Sequence, residues 1–160
     1  MAASHSTAVL LSARRVRDHQ RPGPRRPPDG QRLRGQRRPV HRAGQTVLWA
    51  GDHYDVDAQL RIEPASGHTP GSSVVWLRSG ADRAVFAGDL LHSPLQIVEP
   101  DDCPGFDEDE PRARESRRRV LGEAADRGAL LFPTHFPGPG AAEVRRVGDS
   151  FEVKDWVAWR

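Results

Sequence analysis

Nothing in RRVRDHQRPGPRRPPDGQRLRGQRRPVHRAGQ, residues 14–45, can build a hydrophobic core, so a compact fold in this 160-residue chain has to come mainly from residues 46–160. Five prolines and repeated glycines break any helix there, apolar residues are sparse, and no period of 2 or 3.6 is sustained. Residues 1–45 are therefore expected to be disordered or irregular, with a partial globular domain over residues 46–160. Residues 1–45 carry 11 Arg, no Lys, and only Asp18 and Asp29, a net +9, whereas the rest of the chain nets −7 out of an overall +2. Such a split points to two segments of different origin or use. A basic arm can hold nucleic acid through phosphate contacts, but no aromatic residue precedes Trp49 to stack a base, so nucleic acid is a disfavoured partner. A transit peptide, a shifted reading frame and an unrelated start fused to a real domain are the other readings of this arm.

Other features set outer limits. The length suits one domain with a real core. The lone Cys103 excludes an internal disulfide and fits a reducing cytoplasm. No apolar run approaches the roughly 20 residues of a membrane span, and AVLLSA (residues 8–13) is too short for a signal-peptide core.

From Thr46 the texture changes. TVLW (residues 46–49) and QLRIEP (59–64) read as strands with AGDHYDVD (50–57) as the turn between them. SVVWLR (73–78) and AVFAGD (84–89) form a hairpin through SGAD. Residues 107–128 read as a helix: acids and Pro111 lie at its start and Gly128 closes it. Ala113, Val120, Leu121, Ala124 and Ala125 make its apolar stripe, with Arg114, Arg117 and Arg118 expected in water. ALLFPTH (129–135) is a buried strand and FEVKDWVAW (151–159) a closing strand. The order β-β-β-β-α-β-β predicts a sheet with helical cover, α/β or α+β in class.

Three side chains follow strand ends: His68, Asp89 and His135. Strand ends can converge on one rim of a sheet, where sites are commonly built. Two imidazoles and a carboxylate suit zinc, iron or manganese. The segments HTPGSS, GDLLHSP and THFPGPG set each of them in a backbone stiffened by Pro and turned by Gly. His92 and Thr69 are candidates for the substrate rim or for supporting a ligand. His53 is a weaker ligand candidate, Asp107 and Asp109 read as helix caps, and the acids around Cys103 disfavour a thiolate.

GHTPGSS, FAGDLLHSP and LFPTHFPGPG, in this order, resemble the second half of a metallo-β-lactamase-fold hydrolase. The tail from Phe106 to Trp156 is similar to the branch holding methyl parathion hydrolase and lactonase-like enzymes. This resemblance covers roughly Val47 to Trp156. It implies an αββα sandwich around two metals, zinc in the usual case, of which this chain carries mainly the C-terminal β-α half behind a disordered arm. It also implies roles: His68 on the first metal, Asp89 bridging both, and His135 on the second. A metal-bound hydroxide would then attack a small ester, lactone or phosphoester, with no protein base identified. The His-x-His-x-Asp-His string of that family's first half is absent, since His5, His19, His41 and His53 lack its spacing. Two protein ligands per metal would fall short of the three or four that zinc needs. The sequence therefore predicts a truncated hydrolase with weak or no activity, or a non-catalytic binding remnant. It further predicts an uncovered sheet face, with Val74, Trp76, Val85 and Leu131 as candidates, that invites self-association.

Overall fold

A computed structural model describes residues 9–12, 42–103, 105–138 and 140–158. The chain divides into two compact units, Met1–Ala50 and Gly51–Arg160. In the first, β1 (Val9–Ser12) pairs in parallel with β2 (Thr46–Trp49), Val9 opposite Thr46 and Ser12 opposite Trp49. Parallel strands require a crossover of a dozen or more residues, and residues 13–45 supply that length. TVLW is thus a strand as expected, but its partner is β1 rather than a strand of the larger sheet. Most of the Arg/Pro-rich arm, on which irregular structure was expected, lies outside the described residues.

The second unit is a mixed seven-stranded sheet in chain order: β3 (Tyr54–Asp55), β4 (Leu60–Pro64), β5 (Ser73–Ser79), β6 (Asp82–Gly88), β7 (Leu130–Pro133), β8 (Gly140–Val147) and β9 (Ser150–Ala158). Every neighbouring pair is antiparallel except β6 and β7, which run parallel. The connection between those two holds a short helix, α1 (Leu95–Val98), and the long α2 (Glu110–Arg127). The loop expected over residues 50–57 contains β3, and the tight turn comes after it, where Asp57 Oδ1 accepts from the Gln59 and Leu60 amides at 2.7 and 2.8 Å.

Helix α2 starts and stops where its chemistry dictates. Asp109 is the N-cap, its Oδ1 accepting from the Arg112 amide at 3.2 Å, and Gly128 closes the helix at φ 59°. Only a residue without Cβ takes that left-handed conformation freely. Ala113, Val120, Leu121 and Ala124 are buried on one stripe; the last three pack with Val74, Trp76, Val85, Ala87, Leu131 and Val144 in one core. Each fully buried Val or Leu contributes roughly 1.5–3 kcal/mol by removal from water.

Strand parity then decides which sheet face is core. Val74, Trp76, Val85 and Leu131 lie in the buried cluster with α2, so the expectation that they form the uncovered face is overturned. The other parity carries a register-matched row, Tyr54–Ile62–Val75–Phe86–Phe132, across five strands. Phe86 in that row is exposed and stacks on Phe132 with ring centroids 5.1 Å apart. We expect Leu131→Ala to cost about 2–5 kcal/mol. Phe86→Ser should cost well under half as much, because it removes no buried side chain; urea denaturation of both variants reads the difference.

Candidate metal centre

The topology puts three strand ends on one edge. Strands β4, β6 and β7 run in the same direction, since β5 is antiparallel to both its neighbours and β6 is parallel to β7. The residues beyond their ends, His68, Asp89 and His135, therefore leave the sheet on the same side.

His68 is held by its backbone. The turn Thr69–Ser72 closes with the Ser72 amide donating to the Thr69 carbonyl at 3.2 Å, and the Thr69 hydroxyl lies 2.8 Å from Ser72 Oγ. Thr69 thus spends its hydroxyl inside its own turn. On the other flank, the Asp109 amide donates to the Gly67 carbonyl (2.9 Å), the Glu108 amide to the His68 carbonyl (3.2 Å), and Ser116 Oγ to the Ser66 carbonyl (2.7 Å). Gly67 has φ 142°, and a Cβ there would lie 2.3 Å from the backbone of Ala113. Only glycine lets this segment lie so close against α2.

Asp89 leaves β6 through a register shift between Phe86 and Gly88, with Gly88 at φ 56°, and buried Leu90 and Leu91 anchor the chain beyond it. His135 lies between Pro133, the end of β7, and buried Phe136, which meets Trp156 edge-on. The two imidazoles address opposite oxygens of one carboxylate: His135 Nε2 is 3.0 Å from Asp89 Oδ1, and His68 Nε2 is 3.9 Å from Asp89 Oδ2. The side chains of His68, Asp89 and His135 are 21%, 52% and 44% exposed, so the pair Asp89–His135 faces solvent.

His92 lies between the other two histidines. Its ring centroid is 4.8 Å from that of His68 and 5.0 Å from that of His135, nearly parallel to the latter. Its amide donates to Oε1 of the buried Gln96 at 2.7 Å, and Gln96 Nε2 donates in turn to the Asp102 carbonyl. Burial, then the neighbouring His68 and His135, lower the His92 pKa below its usual 6.5, against smaller opposing effects of Asp107 and Asp89.

Behind His68 the structure departs from the sequence expectation. Asp109 caps α2, but Asp107 does not. Its side chain is 1% exposed, with Oδ1 3.4 Å from His68 Nδ1 and Oδ2 2.9 Å from Arg117 NH1. Arg117, expected in water, is fully buried and also donates to the Pro100 carbonyl at 2.7 Å and to Cys103 Sγ at 2.9 Å. A guanidinium, rather than only the acids of its loop, therefore sits against that sulfur. His53 pairs with Asp55 at 3.6 Å on the β3–β4 hairpin.

Chemically the donor set suits a borderline metal ion, but it stops at one imidazole on each side of Asp89, two protein donors per site when the carboxylate is counted on both. Among the described residues no group of three or more His, Cys, Asp or Glu is arranged to hold a metal ion. A zinc site takes at least three protein ligands, so these residues do not by themselves fit a resident ion.

The sequence profile of the metallo-beta-lactamase superfamily matches residues 11–135, more than half of the chain. The chain belongs to that superfamily. The match reaches upstream of Val47 and ends on His135. Among solved structures, this metallo-beta-lactamase-superfamily chain is similar to AidC, a dizinc quorum-quenching lactonase, at 21% identity and a TM-score of 0.77, covering 96% of this chain and 56% of AidC. It is similar to AbOPH, a hydrolase of the beta-lactamase superfamily, at 20% identity and a TM-score of 0.73, again covering 96% and 56%. A probable metal-dependent hydrolase from Staphylococcus aureus matches at 14% identity and a TM-score of 0.63, covering 74% of this chain and 41% of that one. The chain thus spans 56% of the length of AidC and AbOPH and 41% of the Staphylococcus aureus protein. No curated protein matches it.

Gly67→Ala forces a side chain into positive φ and into the α2 backbone, so it should destabilise the fold by at least about 1–3 kcal/mol, seen as a lowered Tm. The surroundings of His92 make stability depend on pH. Because the folded pKa of His92 is lowered, the unfolded chain binds this proton more readily, and stability is lost as pH falls below about 6.5. His92→Gln should flatten that loss in urea titrations of the metal-free chain on either side of pH 6.5; an unchanged slope would contradict the burial of His92.

Proposed function

We propose that this chain supplies one side of a metal-dependent hydrolase centre acting on a small ester, lactone or phosphoester. In this reading Asp89 contributes the carboxylate shared by two sites, with His68 on one and His135 on the other. The single observation that carries it is the pair of imidazole nitrogens set against opposite oxygens of the Asp89 carboxylate. Zinc is the favoured ion, with iron or manganese as alternatives, because imidazole and carboxylate suit all three. His92, whose ring lies between those of His68 and His135, is placed to meet a bound substrate or to support a ligand. The free thiol of Cys103 is consistent with a cytoplasmic setting.

The donor shortage favours a chain that is weakly active or inactive alone, and a non-catalytic remnant is the second reading on the same ground. The apolar row from Tyr54 to Phe132 supports self-association of the isolated chain.

Elemental analysis of protein purified without chelator, with lactone and phosphotriester hydrolysis measured on the same sample, tests this reading. We expect well under two metals per chain and turnover near background. Two tightly held metals with ordinary turnover would overturn the shortage of ligands. Sedimentation velocity should show concentration-dependent association that Phe86→Ser weakens; a monodisperse monomer would count against the apolar row as a contact surface.

A further inference from the structure

The end of the sheet opposite His68, Asp89 and His135 carries a different chemistry. There the start of β4, the end of β5, the start of β6 and the last turn of α2 line one cavity of about 180 Å³. Each of the four elements brings an arginine to it: Arg61, Arg78, Arg83 and Arg127. Arg61 Nε donates to Asp55 Oδ1 at 2.7 Å, and Arg127 NH2 lies 2.7 Å from Glu123 Oε1. Among the described residues neither Arg78 nor Arg83 has such a counter-ion: the guanidinium of Arg78 donates to the Ala58 carbonyl, and that of Arg83 to the Gly80 and Asp82 carbonyls. Yet the two are register partners on β5 and β6, so two like charges stand directly opposite on one face of the sheet. Such a pair costs stability unless an opposite charge lies between its members. The two carboxylates of the lining are engaged elsewhere, Asp55 by Arg61 and Asp57 Oδ1 by the Gln59 and Leu60 amides. Trp76 in the same wall adds a further donor, since its indole Nε1 is buried without a hydrogen-bond partner and can only donate.

We propose that this cavity is an anion site for a phosphoryl group, carried either by free phosphate or by a small phosphate monoester. A carboxylate offers two oxygens in one plane and is satisfied by a single guanidinium fork. Here the donors come from four elements and so from several directions, which suits a group with three acceptor oxygens and a charge of about −1.5 to −2. Arg78 and Arg83 are the primary contacts, because each keeps N–H groups beyond those given to backbone carbonyls and neither is neutralised by a carboxylate. Arg127, whose guanidinium lies 5.5 Å from the centre of the Trp76 ring, offsets the partial negative charge of the α2 C-terminus. The cavity is smaller than the roughly 300–1,000 Å³ of sites for drug-sized ligands, which fits a small anion. The assignment stands on residues at the far end of the sheet from Asp89 and does not require that the hydrolase reading be right.

Inorganic phosphate is titrated at fixed pH and low ionic strength into the full-length, ¹⁵N-labelled chain, with sodium chloride at matched ionic strength as the control. Proton–nitrogen spectra follow the Arg78 and Arg83 amides and the Trp76 indole, the last identified by its loss in Trp76→Phe. The expected result is a saturable shift of these signals with phosphate and not with chloride. In the double variant Arg78→Gln, Arg83→Gln the apparent Kd should weaken by at least about tenfold. Chloride reproducing the shifts overturns the proposal, as does a double variant that binds phosphate as tightly as the unmodified chain. If the double variant does not fold, the titration of the unmodified chain still decides. Phenyl phosphate forms the second arm: binding tighter than phosphate supports the site as one for a monoester, and weaker binding supports it as one for the free ion. No saturable shift with either compound overturns the proposal.

Discussion

The buried guanidinium of Arg117 is the interaction on which this arrangement turns. It projects from the middle of α2 and binds three points of the preceding loop: the Pro100 carbonyl, the Cys103 sulfur and the Asp107 carboxylate. That loop has little apolar material to bury, so its path is set by polar contacts rather than by packing. A buried ion pair is weak evidence for net stability, since desolvation offsets much of its attraction, but here it fixes geometry. Removing one partner leaves a charge without water or counter-ion, so the loop has one conformation that satisfies the helix.

Around that hub the fold delivers its functional groups by direction of strands alone. Reversing β5 between β4 and β6, and then running β7 parallel to β6, sends three strand ends to one edge. A parallel neighbour is possible only because α1 and α2 occupy the connection, and α2 also roofs the core face. The same helix thus closes the core and orders the site behind His68. The edge it serves presents two imidazoles to opposite oxygens of one carboxylate.

Much of this is legible in the sequence, and the failures have physical causes. His68, Asp89 and His135 stand out because each lies just beyond a strand and is framed by Gly and Pro. The caps of α2 are legible at Asp109 and Gly128. Strand β8 is not, because GAAEVRRV does not alternate: Ala141 and Ala142 are both buried, and Arg145, Arg146 and Val147 are all exposed. The ordinary behaviour of arginine puts Arg117 in water, although its spacing from Ala113, Val120, Leu121 and Ala124 sets it squarely on the apolar stripe. Strict periodicity finds it; residue-type preference overrides the pattern. Asp107 is hidden among neighbouring acids that look like a helix cap. Its role depends on a residue ten positions away and so leaves no local trace. The exposed face is hard to assign because runs such as SVVWLR are apolar on both sides, and the choice of Val74 and Trp76 falls on the wrong parity.

The clamp on Gly67 gives the site a mechanical property. His68 is bolted to the first turns of α2 and the residues leading into it through the carbonyls of Ser66, Gly67 and His68, whereas Asp89 and His135 are carried by β6 and β7. The two halves of the site therefore have different anchors, one shared between β4 and the helix and the other on β6 and β7. A substitution that displaces the start of α2 would therefore reach His68 directly, and Asp89 and His135 only through the sheet.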